Sequence, residues 1–190
     1  ESVTLENNSA YSGGGIYIEV GDLRMNSCIV RNNSSLSVGG GLGNINGIMI
    51  IQETSIYDNS SSGFEGVSYG AGVYNGKIAR LINTTISNNM ASTGPDTGSD
   101  IYNSVIMRLS NSTFVNLDDE NRSGITNQGD SLILANTVIQ TTSQVQGDNY
   151  FTLANKLSDL DGNTEEKIDK YNHPRKGEIK TIYNLLTGLI

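Results

Sequence analysis

Short apolar runs, punctuated by asparagine and glycine, recur along most of this chain. One phrase reads apolar-x-x-Asn-x-(Ala/Ser). It occurs as Leu5-Glu6-Asn7-Asn8-Ser9-Ala10, Ile29-Val30-Arg31-Asn32-Asn33-Ser34, Ile56-Tyr57-Asp58-Asn59-Ser60-Ser61 and Ile86-Ser87-Asn88-Asn89-Met90-Ala91, with degenerate copies on Phe114 and Val138. A second phrase is glycine-rich: Gly13-Gly14-Gly15-Ile16, Gly39-Gly40-Gly41-Leu42 and Gly70-Ala71-Gly72-Val73, decaying to Gly98-Ser99-Asp100-Ile101 and Arg122-Ser123-Gly124-Ile125. The anchors of the first phrase lie 24, 27, 30, 28 and 24 residues apart, and those of the second 26, 31, 28 and 24. Insertions fall only in Gly/Ser/Asp-rich stretches between anchors, which is how a solenoid with loops at its corners varies.

The runs themselves are strand-like. "SVTLEN", "NSCIVRN", "ETSIYDN" and "NTTISNN" are β-branched and bounded by Asn or Gly. A third short run precedes each first-phrase anchor: Leu23/Met25, Met49/Ile51, Leu81/Ile82, Leu109 and Leu132/Leu134. Three strands per coil of roughly 27 residues predict a parallel β-helix of about six coils. No coil carries the Leu-x-x-Leu-x-Leu phrase of leucine-rich repeats, and the glycine and β-branched content argues against helical repeats.

Stacking then assigns most recurrent residues. Parallel coils about 4.8 Å apart place like residues in columns. Leu5, Ile29, Ile56, Ile86, Phe114 and Val138 form one expected core column, and Ile16, Leu42, Val73, Ile101 and Ile125 another. Asn8, Asn32, Asn59 and Asn89 are expected as a structural ladder, because stacked amides can bond to one another and satisfy polar groups that are costly when buried unpaired. Asn44, Asn75, Asn103 and Asn127 suggest a second ladder. The glycine phrase reads as a tight corner, since it lacks the lysine and helix context of a phosphate-binding loop. Cys28, the single cysteine, reads as a small packed side chain.

Composition changes this picture little. Gly (22) and Asn (23) are enriched, yet regularly placed Ile, Val and Leu exclude disorder over residues 1–150. The net charge of −8 resides in residues 1–150, so nucleic acid and anionic membrane are poor partners. No run of 18 apolar residues spans a membrane.

The repeated Asn-x-(Ala/Ser) followed by Gly-Gly-Gly-(Ile/Leu)-x-Asn resembles the repeats of polymorphic outer-membrane-protein-like and related bacterial and archaeal surface proteins. That resemblance covers roughly residues 1–150. It implies a right-handed parallel β-helix, an extracellular or cell-surface location and an adhesin- or passenger-like role. The matched residues are all scaffold, so it speaks for fold more than for function.

Residues 151–190 read as a C-terminal capping segment with one or two short helices. "NTEEKIDKY" has acids before lysines, and Ile179, Ile182, Leu185/Leu186 and Leu189 make a helical apolar stripe. A solenoid's open end exposes strand edges and core, hence the expectation of a cap there and of upstream coils or a partner over the N-terminal end.

Candidate chemistry is sparse. Tyr17, Tyr74 and Tyr102 each follow a glycine-phrase anchor and should face outward. Such an aromatic ladder could stack sugar rings, or simply pack the sheet face. Asp159, Asp161, Asn163 and Glu165 sit at alternate positions of a possible calcium loop, but the glycine falls at position 4 and the twelfth residue is Lys170; a polar turn leading into a helix cap explains the stretch as well. Asp58, Asp96, Asp100, Asp118 and Asp119 are the acids available to a polysaccharide-cleaving site, with Asp58 and Asp100 on different faces. Arg80 and Arg108 can stack without an acid repeating beside them, and His173 lies in the tail away from every cluster. The leading expectation is a non-enzymatic surface β-helix that needs no cofactor and presents loops and an outer face to a glycan or protein. The alternatives are a β-helix polysaccharide lyase or hydrolase, and a structural spacer or assembly subunit.

Overall fold

The computed structural model describes residues 2–63, 68–92, 100–116, 124–141, 145–147, 150–153 and 156–158. It is an all-β solenoid in which every pairing between strands is parallel, and no helix occurs among the described residues. Three sheets run along it, with seven, ten and four strands. The four-stranded sheet sets the number of turns that carry all three sheets.

The largest sheet begins with two 11-residue strands, Ile16–Asn26 and Leu42–Gln52. In later turns each long strand divides in two, as in Val73–Asn75 with Ile78–Ile82, and Ile101–Asn103 with Ile106–Ser110. The second sheet stacks Thr4–Glu6, Ile29–Arg31, Ser55–Tyr57, Thr85–Ser87, Thr113–Asn116 and Val138–Thr141. The small sheet is made of two-residue strands from Ser9–Ala10 to Met90–Ala91. Both larger sheets run on past residue 150, through Tyr150–Leu153 and Lys156–Ser158. The rest of the expected capping segment lies outside the described residues.

The core is built of columns. Ile16, Leu42, Val73, Ile101 and Ile125 are in register, as expected. The other expected column is shifted by one residue at two places. Leu5 pairs with Val30, Val30 with Ile56, Ile56 with Ile86, and Ile86 with Phe114; Phe114 pairs with Ile139. Ile29 and Val138 point outward and are 37% and 40% exposed. At both sites two β-branched apolar residues are adjacent, and a strand can send only one of them inward. Of the third run, Leu81 faces the core and Ile82 does not; Ala79 and Met107 join Met49 and Leu132 in the buried column.

Asparagine does three separate jobs. Asn7, Asn32, Asp58 and Asn88 have positive φ at the corner between the second and small sheets; Asn83, Asn111 and Asn136, with Ser27 and Glu53, do the same at the corner after the largest sheet. Asn and Asp reach this left-handed region at lower cost than other side-chain-bearing residues. The residue after each corner then turns inward. After the first corner comes a ladder: Asn8, Asn33, Asn59 and Asn89. Asn32, expected in this ladder, is the corner residue, and Asn33 takes the rung. The Oδ1 of Asn33, Asn59 and Asn89 each accepts from both the backbone N–H and the Nδ2 of the preceding rung, at 2.8–3.1 Å. The second ladder holds as expected, with Asn44, Asn75, Asn103 and Asn127 linked Nδ2 to Oδ1 at 2.9, 2.7 and 2.6 Å.

After the other corner comes a column of small polar residues: Cys28, Thr54, Thr84, Ser112 and Thr137. Each hydroxyl donates to the carbonyl two residues earlier, and the Cys28 thiol does the same toward Asn26. Cys28 is thus a packed structural member of a hydroxyl column.

The glycine phrase is a corner in which each glycine answers a different constraint. Gly13, Gly39 and Gly70 have φ of 61°, 61° and 56°. A Cβ on Gly14 or Gly40 would collide with carbonyl oxygens of neighbouring coils. One on Gly41 or Gly72 would meet the carbonyl oxygen of Gly72 or Asp100 in the next coil at 2.7 Å and would also press on the ladder residues Asn59 or Asn89 at 2.9–3.2 Å. The third glycine therefore makes room for the neighbouring backbone and for the asparagine ladder.

Candidate functional site

The outward positions after the glycine-phrase anchors gather tyrosines. In register, Tyr17 stacks on Gly43, Gly43 on Tyr74, Tyr74 on Tyr102, and Tyr102 on Thr126. The Tyr74 and Tyr102 rings lie nearly parallel, 8° apart in plane, with centroids 5.7 Å apart. Adjacent strands 4.8 Å apart hold two such rings in offset stacking without further support. The coil carrying Gly43 interrupts the column, and Tyr17 fills the gap from below: its Cδ2 lies 3.6 Å from where a Cβ on Gly43 would stand.

Tyr69 is a fourth member that the spacing of the repeat did not suggest. It lies one residue before Gly70, in a bridge to Val38, and its ring meets Tyr102 at 4.5 Å with a 42° tilt. The equivalent residue in the first coil is Ser12 and in the second Val38, so Tyr69 repeats nothing. Only the folded corner brings it to Tyr102.

Burial grades along the row. Tyr17 is 47% exposed, Tyr74 is half-buried, and Tyr102 is 7% exposed with its hydroxyl donating to Gln128 Oε1 at 2.7 Å. Burial pushes the Tyr74 phenol above its ordinary pKa; a hydrogen bond with Ser104 pulls it partly back, and the neighbouring Tyr69 and Tyr17 add to the rise. The result is an aromatic surface anchored at the Tyr102 end and open at the Tyr17 end.

Among the described residues, the candidate acids Asp58 and Asp100 do not converge. Asp58 is a corner residue with φ of 54°. Asp100 is buried in the place of the third glycine of the phrase, and its Oδ1 accepts from Asn89 N–H at 2.9 Å and Asn89 Nδ2 at 2.7 Å. It is the last rung of the first ladder, supplied from the bend before Ile101–Asn103 where the next coil has Leu117 in place of asparagine. Asp96, Asp118, Asp119 and His173 lie outside the described residues, as do Asp159, Asp161, Asn163 and Glu165. Among the described residues, no three His, Cys, Asp or Glu side chains form a group able to hold a metal ion. No helix among them is long and apolar enough to cross a membrane. Glu6 and Arg31 form an exposed ion pair on the second sheet, and Arg31 also donates to the Tyr57 hydroxyl at 3.1 Å.

No protein-family model, curated protein or solved structure matches the chain.

Proposed function

We propose that this solenoid is a non-enzymatic surface module that binds a glycan at the accessible Tyr17–Tyr74 end of the tyrosine row, with the buried Tyr102 as the support beneath Tyr74. The stacked Tyr74 and Tyr102 rings, with Tyr17 exposed beside them, carry the reading. Flat aromatic faces with a half-wet edge suit the C–H faces of sugar rings, and their hydroxyls supply hydrogen bonds at the margin. In this reading the coil winds to the right and the protein works outside the cell or on its surface, as the repeats of the surface-protein family it resembles imply. The non-enzymatic role draws support from the two candidate acids within the described residues, Asp58 and Asp100, each of which has a structural duty.

A glycan array followed by an assay for new reducing ends tests the proposal. Binding of one glycan class without turnover is the expected outcome. Release of reducing ends, or of unsaturated products, from any polysaccharide would replace this reading with the lyase or hydrolase one.

A further inference from the structure

Away from the tyrosine row, the ten-stranded sheet carries a pair of adjacent cations on its outer face. Arg80 and Arg108 are register partners on Ile78–Ile82 and Ile106–Ser110, neighbouring strands about 4.8 Å apart. Ile50 lies below them in the same column and Ile133 above. The Arg108 Nε is buried and has no hydrogen-bond partner. Burial, and then the Arg80 charge, lower the pKa of Arg108 from its ordinary value. The two guanidinium groups are thus close enough to repel, and an anion between them would relieve that cost. Each can grip a carboxylate or sulfate through a planar fork of N–H donors.

The surrounding charges limit what fits. Arg24 continues the column two coils below Arg80, beyond Ile50, and Asp22 stands two residues before it on the same strand. That end of the face carries one charge of each sign. Glu53 and Asp130 stand at the corners that bound the face, each three residues along and one coil away from Arg80 or Arg108. Strand spacing and rise put Asp22, Glu53 and Asp130 about 11–12 Å from the nearer arginine. Lys77, at the bend before Ile78, donates to the Asn46 carbonyl at 3.5 Å. A ligand with several anionic groups would bring some of them against these acids, on a chain whose net charge is −8. The site suits one anionic group. Beside the pair, Ile78 and Ile106 stand two residues before the arginines, with Ile106 37% exposed, so that group should be joined to a surface rich in C–H.

We propose that Arg80 and Arg108 hold a single oxyanion borne by a sugar ring, a uronate carboxylate or a lone sulfate ester, in an otherwise neutral glycan. The sugar rests on the glycan reading above; the oxyanion does not. Each arginine stands six residues after a stacked tyrosine of its own coil, Tyr74 or Tyr102, so both sites lie on one sheet.

Titration of the full 190-residue chain, followed through arginine Nε–H signals by nitrogen–proton correlation NMR, tests this. The Arg108 signal is identified by its loss in Arg108→Gln. The probes are methyl glucuronide and a glucose sulfate ester, with methyl glucoside as the neutral control. At least one anionic sugar should shift the Arg108 signal saturably, and the neutral sugar should not. Inorganic sulfate at equal ionic strength should bind at least about tenfold more weakly. Arg80→Gln should weaken the anionic sugar at least about tenfold, and Arg80→Lys, which keeps the charge without the fork, should lose less. The rest of the spectrum reports whether each variant is folded. No saturable shift with either anionic sugar would overturn the proposal. So would inorganic sulfate binding as tightly, which would leave a free-anion site. Tighter binding of N-acetyl-leucine than of the anionic sugars would mark a peptide carboxylate instead. Binding of polygalacturonate more than about tenfold tighter per uronate would mark a polyanion track. An unchanged titration in folded Arg80→Gln would remove the pair as the site. These signals report the arginines alone, so a failure of the tyrosine row leaves them unchanged and is read on the array.

Discussion

At the residue scale, the chain's composition follows from repeated geometric demands. Asparagine is abundant because two ladders and two corner columns ask for it, and only some of those places accept a substitute. Asp58 and Glu53 replace it at corners. In the first ladder the one substitute is Asp100, which keeps an acceptor for Asn89 where the next coil has no asparagine to offer. Removing a rung leaves the preceding rung's backbone N–H buried without an acceptor and takes one acceptor from its Nδ2, which keeps a backbone carbonyl. Asn59→Ala and Asp100→Ala should therefore each cost about 1–3 kcal/mol in urea unfolding. Losses below the lower bound in both would mean that the ladder contributes little beyond packing. Tyr74 gives a pH-dependent prediction at the same scale. Its phenol has a raised pKa in the folded state, so the unfolded chain ionises first as pH rises. Its contribution to stability is complete below about pH 10, the unfolded tyrosine value, and is lost as pH rises through the higher folded value. Tyr74→Phe should flatten that alkaline decline in unfolding curves, and an unchanged decline would remove Tyr74 as its source.

At the element scale, the register of each strand decides which of two neighbouring apolar residues is core. The repeat made the period, the strand character, the Ile16 column and the Asn44 ladder legible, because each copy carries one unmistakable residue at the same place. It failed where the signal was doubled. Ile29-Val30 and Val138-Ile139 both look like an anchor, as Asn32-Asn33 both look like a rung, and only the corner with positive φ at Asn32 fixes the phase. Counting forward from Val30, the corner residue comes two positions later and the rung three, as in the Leu5, Ile56 and Ile86 copies. Val30→Ala should destabilise by about 2 kcal/mol, as a cavity in a closed core does. Ile29→Ala should stay within about 0.5 kcal/mol. Equal losses from the two would contradict the register. Tyr69 escaped the sequence for another reason. Its importance comes from a contact between corners, which no periodic pattern encodes.

At the scale of the whole molecule, the solenoid turns a one-dimensional repeat into long flat faces, and function has to reside in what departs from the repeat. The tyrosine row is such a departure: Gly43 breaks it, Tyr17 packs against that glycine, and Tyr69 joins from outside the register. The core columns, ladders and glycine corners are scaffold, and altering them tests stability, not recognition. Tyr17 and Tyr74 can be altered with less risk to folding, since Tyr17 is exposed and Tyr74 is half-buried on the outer face. The most direct measurement is the affinity of the wild-type chain and of Tyr17→Ala/Tyr74→Ala for the glycan class selected on the array, with urea unfolding of both proteins alongside. The account predicts at least a tenfold loss of affinity in the variant, on the order of two lost ring contacts, with the core still folded. Equal affinity in a folded variant would contradict it.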